Sequence, residues 1–201
     1  MRKENAMRKR LMGGGLFLLI LMIVPSPVRA EIPRETIQTQ VNRVLDVLRN
    51  AADAKAVKEK KILSIVDEFF DYPELSRRTL ANHWKAFTPE QQKEFTTLFG
   101  KLLANVYMDR IMQYTNEKVV FGKETKLSEN TVEVQSEILT QSKSVPLNYR
   151  MISHNKGEWR VYDVVIEGVS LVMNYRSQFR EILASKPPEN LLKTLREKNL
   201  K

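Results

Sequence analysis

Apolar side chains recur at helical spacing in the first half of the chain and again near its end. Ile37, Val41, Val44, Leu45 and Leu48 follow one another at intervals of four, three, one and three, which places them on one face of a helix. The same kind of spacing predicts helices over 34–52, 57–69, 73–83, 88–112, 169–184 and 189–198.

The helix predicted over 88–112 has the clearest start. Thr88 suits the N-cap, Pro89 suits the first helical position, and Gln91 completes a capping box with Thr88. Apolar residues spread widely around this helix between 95 and 107. We therefore expect a central packing helix whose broad apolar face opposes the sheet.

Between 117 and 166 the period of the apolar residues falls to two, as in strands. Val132, Val134 and Ile138 alternate with polar neighbours, and so do Leu147 and Met151. The alternation predicts strands over 117–123, 130–140, 144–154 and 158–166, and the short turns between the last three favour an antiparallel meander. Helices, strands and helices in this order predict an α+β class, with several α-helices packed on one face of a four-stranded antiparallel sheet.

The first thirty residues have the three-part pattern of a secretory signal peptide. A basic segment precedes an uncharged run of fourteen residues over 11–24, and Val28-Arg29-Ala30 supplies a cleavage site. An uncleaved anchor is the alternative, but such a run reaches about 21 Å as a helix, whereas the hydrocarbon core is about 30 Å thick. We expect cleavage after Ala30, which leaves one domain over 31–201 that is exported to a Gram-negative periplasm.

Charge and composition narrow the classes of function. The chain has 33 Lys and Arg against 24 Asp and Glu, a net charge of +9, and residues 1–30 hold six of the cations and one of the acids. The modest excess elsewhere argues against a nucleic-acid-binding protein, which usually has a dense basic stripe. Since the chain has no Cys, disulfides, thiolate metal sites and cysteine nucleophiles are excluded.

The sequence has no catalytic motif, and one acidic residue needs an explanation. The two His, His83 and His154, stand apart without metal-binding spacing. Asp163 lies in the apolar run 161–166, where a carboxylate is costly to bury without partners. It is either a catalytic base in a sheet-lined pocket or, as we favour, a structural acceptor with Arg176 or Arg180 as its partner.

Two blocks of sequence are distinctive in combination. The first reads FDYPELSRRTL over 70–80 and is followed by His83-Trp84 and by TPEQQKEF over 88–95. The second reads GEWRVYDVVIEGVS over 157–170, with Tyr175-Arg176 and Phe179 beyond it. Together they resemble the MlaC/toluene-tolerance (Ttg2-type) family of periplasmic phospholipid-binding proteins over nearly all of 31–201. One departure is Leu80-Ala81, where the family usually has Leu-Gly.

The resemblance implies a fold and a function. Family members hold a phospholipid with its acyl chains in an apolar cavity between the sheet and the helices, similar to NTF2-like folds, and its head group at the mouth. They carry lipid between an inner-membrane ABC transporter complex and an outer-membrane lipoprotein complex, and so maintain outer-membrane lipid asymmetry. The resemblance thus implies a monomeric carrier that is not an enzyme, binds no metal or nucleic acid, and has no cofactor beyond its phospholipid cargo.

Site residues follow when that cavity is combined with the strand alternation and the helical stripes. The candidates for lining it are Leu98, Leu102, Val106, Val132, Val134, Ile138, Leu147, Tyr149, Met151 and Phe179. Head-group contact at the mouth is assigned to Arg150, Tyr175 and Arg176. Two other functions remain open from the residues alone: an enzyme with Asp163 as its base, and a periplasmic adaptor module with a filled core.

Overall fold

The computed structural model describes residues 32–114, 117–154 and 157–200. The predicted signal peptide and its cleavage site lie outside these described residues. The helices are α1 (Pro33–Arg49), α2 (Lys55–Phe69), α3 (Tyr72–Leu80), a 3₁₀ helix (Ala81–Ala86), α4 (Pro89–Met112), α5 (Leu171–Leu183) and α6 (Pro188–Lys198). The strands are β1 (Lys118–Lys126), β2 (Thr131–Leu139), β3 (Ser144–Ser153), β4 (Trp159–Ile166) and β5 (Val169–Ser170).

Local sequence explains where several helices begin. The predicted capping box of α4 is present: the Thr88 hydroxyl accepts from the Gln91 N–H at 3.3 Å, and the Gln91 side chain accepts from the Thr88 N–H at 3.1 Å. Asp71 caps α3 by accepting from the Glu74 N–H at 2.9 Å. Across the described ranges, no helix is both long and apolar enough to cross a membrane.

The sheet is an antiparallel meander, as predicted, with strand order β1-β2-β3-β4-β5. Its fifth strand, Val169–Ser170, was assigned by the sequence prediction to the start of the last helix, so the count of four strands was one short strand too few. A two-residue turn makes this strand possible. Glu167 and Gly168 both have positive φ, 48° and 84°, as a type I′ hairpin turn requires.

The two faces of the sheet differ in polarity because side chains alternate along each strand. The inner face carries apolar residues such as Val134 and Met151 and packs against α1 and α2. The outer face carries Glu133, Arg150 and Asp163, which are neighbours in register across β2, β3 and β4.

Apolar side chains form two clusters. The helical cluster lies among α3, α4, α5 and α6, where the rings of Phe95 and Phe99 are 5.6 and 5.3 Å from that of Phe179. The sheet cluster lies between the inner face of the sheet and α1 and α2. The expectation that the apolar face of α4 opposes the sheet is therefore wrong for most of its length. That face packs on the other helices, and Tyr107 is its member that reaches the sheet cluster.

Candidate functional site

The sheet cluster has a high proportion of apolar side chains that are only partly buried. Among the described residues, eleven such side chains pack against its ten buried members, whereas six pack against the thirteen buried members of the helical cluster. Val41, Val44 and Val47 of α1 and Val132 and Leu147 of the sheet are examples. A filled core would remove this apolar area from water. The sheet cluster is therefore the part of the fold best suited to an apolar ligand.

The strand alternation correctly predicted side chains that share the inner face of the sheet, and their contact with a lipid stays a prediction. Val132, Val134, Leu147, Tyr149 and Met151 all belong to the sheet cluster, and Val134 and Met151 are 0% exposed. Ile138 is buried farther along β2, where it pairs in register with Val145.

The four candidates from the helices lie elsewhere. Leu102 and Phe179 are buried in the helical cluster and Leu98 packs against it. Val106 is 42% exposed. The periodicity of α4 and α5 revealed apolar stripes, but the stripes cover each other rather than the sheet. Leu98, Leu102 and Phe179 therefore do not stand opposite the inner face of the sheet.

Helices α1 and α2 form the wall opposite the sheet, which the sequence analysis did not assign to the site. Their buried members in the sheet cluster are Ile37, Ile65 and Phe69. A hydrogen bond joins the start of α1 to the sheet, since the Arg34 backbone N–H donates to the Glu124 side-chain Oε1 on β1 at 2.8 Å. The apolar stripe of α1 was visible in the sequence, but no local signal showed that α1 rather than α4 covers the sheet.

One side chain with a hydroxyl group is among the ten buried members of the sheet cluster. Tyr149 is 9% exposed, and its ring stacks against that of Phe121 at 6.5 Å between centroids. Burial raises the pKa of the Tyr149 hydroxyl, and Tyr114 adds to the effect. Tyr149 is therefore neutral at physiological pH, and it brings no charge into the apolar site.

Asp163 lies on the outer face and is fully engaged in hydrogen bonds. It is 1% exposed and accepts from the Ser170 hydroxyl at 2.6 Å, from the Val172 N–H at 3.0 Å and from Arg150 at 3.2 Å. The expected partners Arg176 and Arg180 were wrong, because Arg150 faces Asp163 directly across β3 and β4. The carboxylate thereby joins the sheet to the start of α5.

The three candidates for head-group contact do not converge on one place. Arg150 is held on the outer face by Glu133 at 2.9 Å as well as by Asp163. Tyr175 is buried in the helical cluster against Phe99, and burial raises the pKa of its hydroxyl. Arg176 donates to the backbone carbonyl of α3 instead. No mouth of the sheet cluster is formed by these three side chains together.

The His side chains and carboxylates do not assemble a metal site in the described parts of the chain, where no three potential ligands come close together. His154 contacts the Asp71 carboxylate, which is also the N-cap of α3. His83 lies in the 3₁₀ helix. The two His therefore have separate surroundings.

The two sequence blocks meet in space. The Asp71 N–H donates to the Val161 carbonyl at 2.8 Å, and the Arg78 guanidinium lies over the Tyr162 ring at 4.0 Å from its centroid. A family model described as "MlaC protein" matches residues 38–197, which includes both blocks. The chain belongs to the MlaC family.

Relatives of this MlaC-family chain include two curated proteins. The intermembrane phospholipid transport system binding protein MlaC of Haemophilus influenzae is 30% identical over 99 residues, which are 47% of this chain and 46% of that protein. The match thus spans about half the length of that relative. Toluene tolerance protein ttg2D of Pseudomonas putida is 22% identical over 181 residues, which are 84% of this chain and 81% of that protein.

A solved structure resembles this MlaC-family chain over almost its whole length. It is the phospholipid-binding protein of Ralstonia solanacearum in complex with a phospholipid, with a TM-score of 0.76 and 26% sequence identity. The match covers 85% of this chain and 98% of that one. The α+β arrangement of a meander sheet with covering helices is therefore shared with a protein that holds a phospholipid.

Proposed function

We propose that this protein is a phospholipid carrier that holds the acyl chains of its cargo against the inner face of the sheet. The observation that carries the proposal is the match in fold to a phospholipid-bound protein over 98% of that chain. The partly buried apolar side chains of the sheet cluster support it independently. Val132, Val134, Leu147, Tyr149 and Met151 would contact the acyl chains from the sheet.

The free energy of transferring acyl chains out of water explains why a carrier needs an apolar surface of this kind. Two acyl chains of about fifteen methylenes each, at about 0.8 kcal/mol per methylene, represent roughly 24 kcal/mol of transfer from water. A protein that moves such a lipid through water must cover nearly all of this area. Apolar contacts are not directional, so the site is expected to accept chains of different lengths.

The setting follows from the family and from the predicted signal peptide. We infer that the protein acts in the periplasm and carries phospholipid between an inner-membrane ABC transporter complex and an outer-membrane lipoprotein complex. It acts without a catalytic step. No observation favours Asp163 as a base, since its carboxylate already accepts three hydrogen bonds and is 1% exposed. Phospholipid is cargo rather than a cofactor.

A transfer assay tests carriage. Donor vesicles containing a fluorescent phosphatidylcholine are mixed with acceptor vesicles, and the protein is added after removal of its own lipid. Carriage predicts transfer that rises with protein concentration and a soluble protein–lipid complex that elutes apart from the vesicles. Transfer at the spontaneous rate, with no labelled lipid in the protein fraction, would favour the adaptor module.

A further inference from the structure

A groove rich in positive charge lies on the face formed by α3, the 3₁₀ helix and α5. It consists of two adjoining pockets of about 250 and 610 Å³, which share Ala81, Asn82 and Arg176. We call this the basic groove, and its cationic lining residues are Arg77, Arg78, Lys85, Arg176 and Arg180.

Arg77, Arg78 and Arg176 of the basic groove each use one edge of the guanidinium group in hydrogen bonds within the protein. Glu74, 8% exposed, accepts from Arg77 at 2.7 and 2.8 Å and from Arg78 at 2.7 Å. Burial alone would raise the pKa of the Glu74 carboxyl, but hydrogen bonds from the two guanidiniums outweigh it, and the pKa is lowered. Arg176 donates through Nε and Nη2 to the Arg78 carbonyl at 3.2 and 2.6 Å.

Other donors of the same side chains remain available. In the described chain, Nη1 of Arg77, Nη1 of Arg176 and the Lys85 ammonium donate no hydrogen bond. Five cations outnumber the buried carboxylates of Glu74 and Asp71, both of which act on Arg77, and the groove is therefore net positive. Arginine forks that are fixed at one edge are well suited to bind phosphate oxygens through the other.

Apolar surface adjoins the charge. Leu80, Phe179 and Leu183 line the smaller pocket. Met173, 51% exposed, precedes Arg176 by three residues on α5, so the two side chains are neighbours on the helix surface. Basic side chains beside an exposed apolar residue are the combination by which proteins attach to anionic lipid surfaces.

We propose that the basic groove docks the protein on an anionic phospholipid membrane, with head-group phosphate entering the groove and Met173 entering the interface. This surface is separate from the proposed cargo site. Tyr162, under Arg78, shares its surroundings with Arg150 and Asp163 on the outer face of the sheet, whereas the sheet cluster lies on the inner face. Docking therefore does not depend on the carriage of lipid in the sheet cluster.

Vesicle co-sedimentation tests the proposal. The protein is mixed with vesicles of phosphatidylcholine alone or of equimolar phosphatidylcholine and phosphatidylglycerol. We expect binding to the anionic vesicles only, and loss of it between 0.1 and 1 M salt, where the screening length falls from about 10 Å to about 3 Å. The double variant Lys85→Gln/Arg180→Gln, which leaves the Glu74 contacts intact, should lower the partition coefficient by roughly tenfold to thirtyfold.

A matched variant controls for total charge. Lys101→Gln/Lys123→Gln removes two exposed cations from α4 and β1, away from the groove, and should retain nearly the parent affinity. Met173→Ser should weaken binding without changing its dependence on salt. Each variant must first be shown to keep the melting temperature and the bound phospholipid content of the parent. Failure of docking is then distinguished from failure of carriage.

Three outcomes would overturn the proposal. One is equal binding of parent and groove variant to anionic vesicles, and another is an equal loss in the control variant. The third is no binding of the parent to anionic vesicles at 0.1 M salt. In that case, direct binding of inorganic phosphate to the groove, measured by calorimetry, would assign it to a free anion, and the absence of such binding would leave an acidic protein surface as its partner.

Discussion

Replacement of Ala81 by Gly should stabilise the protein, although Gly usually destabilises a helix. Ala81 ends α3 with φ 49° and ψ −121°, a region that residues with a Cβ rarely adopt. Such a conformation costs on the order of 1–3 kcal/mol. Gly removes this strain but adds about 0.4–1 kcal/mol of unfolded-state entropy. The net expected gain is about 1 kcal/mol, or roughly 2–4 °C in melting temperature for a domain of this size.

The assay is thermal and urea unfolding of delipidated Ala81→Gly, since bound ligand raises apparent stability by itself. Ala104→Gly, within α4, is the matched control. Ala104 has ordinary helical geometry, so Gly should cost about 1 kcal/mol there. Equal destabilisation by the two substitutions would refute the strain argument, because it would show that the Cβ of Ala81 carries no penalty.

Three further substitutions, the last with a matched control, test the role of Asp163, the turn before β5 and the lipid site. Asp163→Asn should cost about 1–3 kcal/mol in urea unfolding, because a buried acceptor of three hydrogen bonds is altered; an intact melting curve would contradict its structural role. Gly168→Ala should cost about 1 kcal/mol by strain alone, since φ is +84° and no atom lies within 4 Å of an added Cβ; an unchanged midpoint would contradict this. Val132→Trp should at least halve the co-purified phospholipid, yet the melting temperature of the delipidated variant should stay within about 2 °C of the parent's. Its control is Leu183→Trp at a half-buried position beside the helical cluster, which should leave the lipid content unchanged. Equal lipid loss in both variants would show that the sheet cluster is not the lipid site.

Local signals in the sequence predicted the elements well. The capping box at Thr88 placed the start of α4, and the alternation of Val132, Val134 and Ile138 placed β2 and its inner face. The meander followed from short turns. The two-residue strand β5 was missed because Val169–Ser170 is too short to show a period, and a positive φ at Glu167 is not apparent from its residue type.

Long-range contacts were not predictable from the same signals. The partner of Asp163 is set by register across β3 and β4, where Arg150 stands opposite, and the sequence pointed to α5 instead. Similarly, α1 has an apolar stripe and α4 a broad apolar face, and only the tertiary fold decides that α1 covers the sheet. The basic groove combines α3 and the adjoining 3₁₀ helix with α5, and Arg78 and Arg176 are 98 residues apart, so no single stretch of sequence reveals it.

Mass spectrometry of the protein as purified shows directly whether it carries phospholipid. The full chain is expressed, isolated without added lipid, and measured under native and then denaturing conditions, with Val132→Trp and Leu183→Trp alongside. Phospholipid carriage at the sheet cluster predicts close to one phospholipid per chain in the parent and in Leu183→Trp, and clearly less in Val132→Trp. A parent protein free of phospholipid that also takes none up from vesicles would contradict the assignment as a carrier.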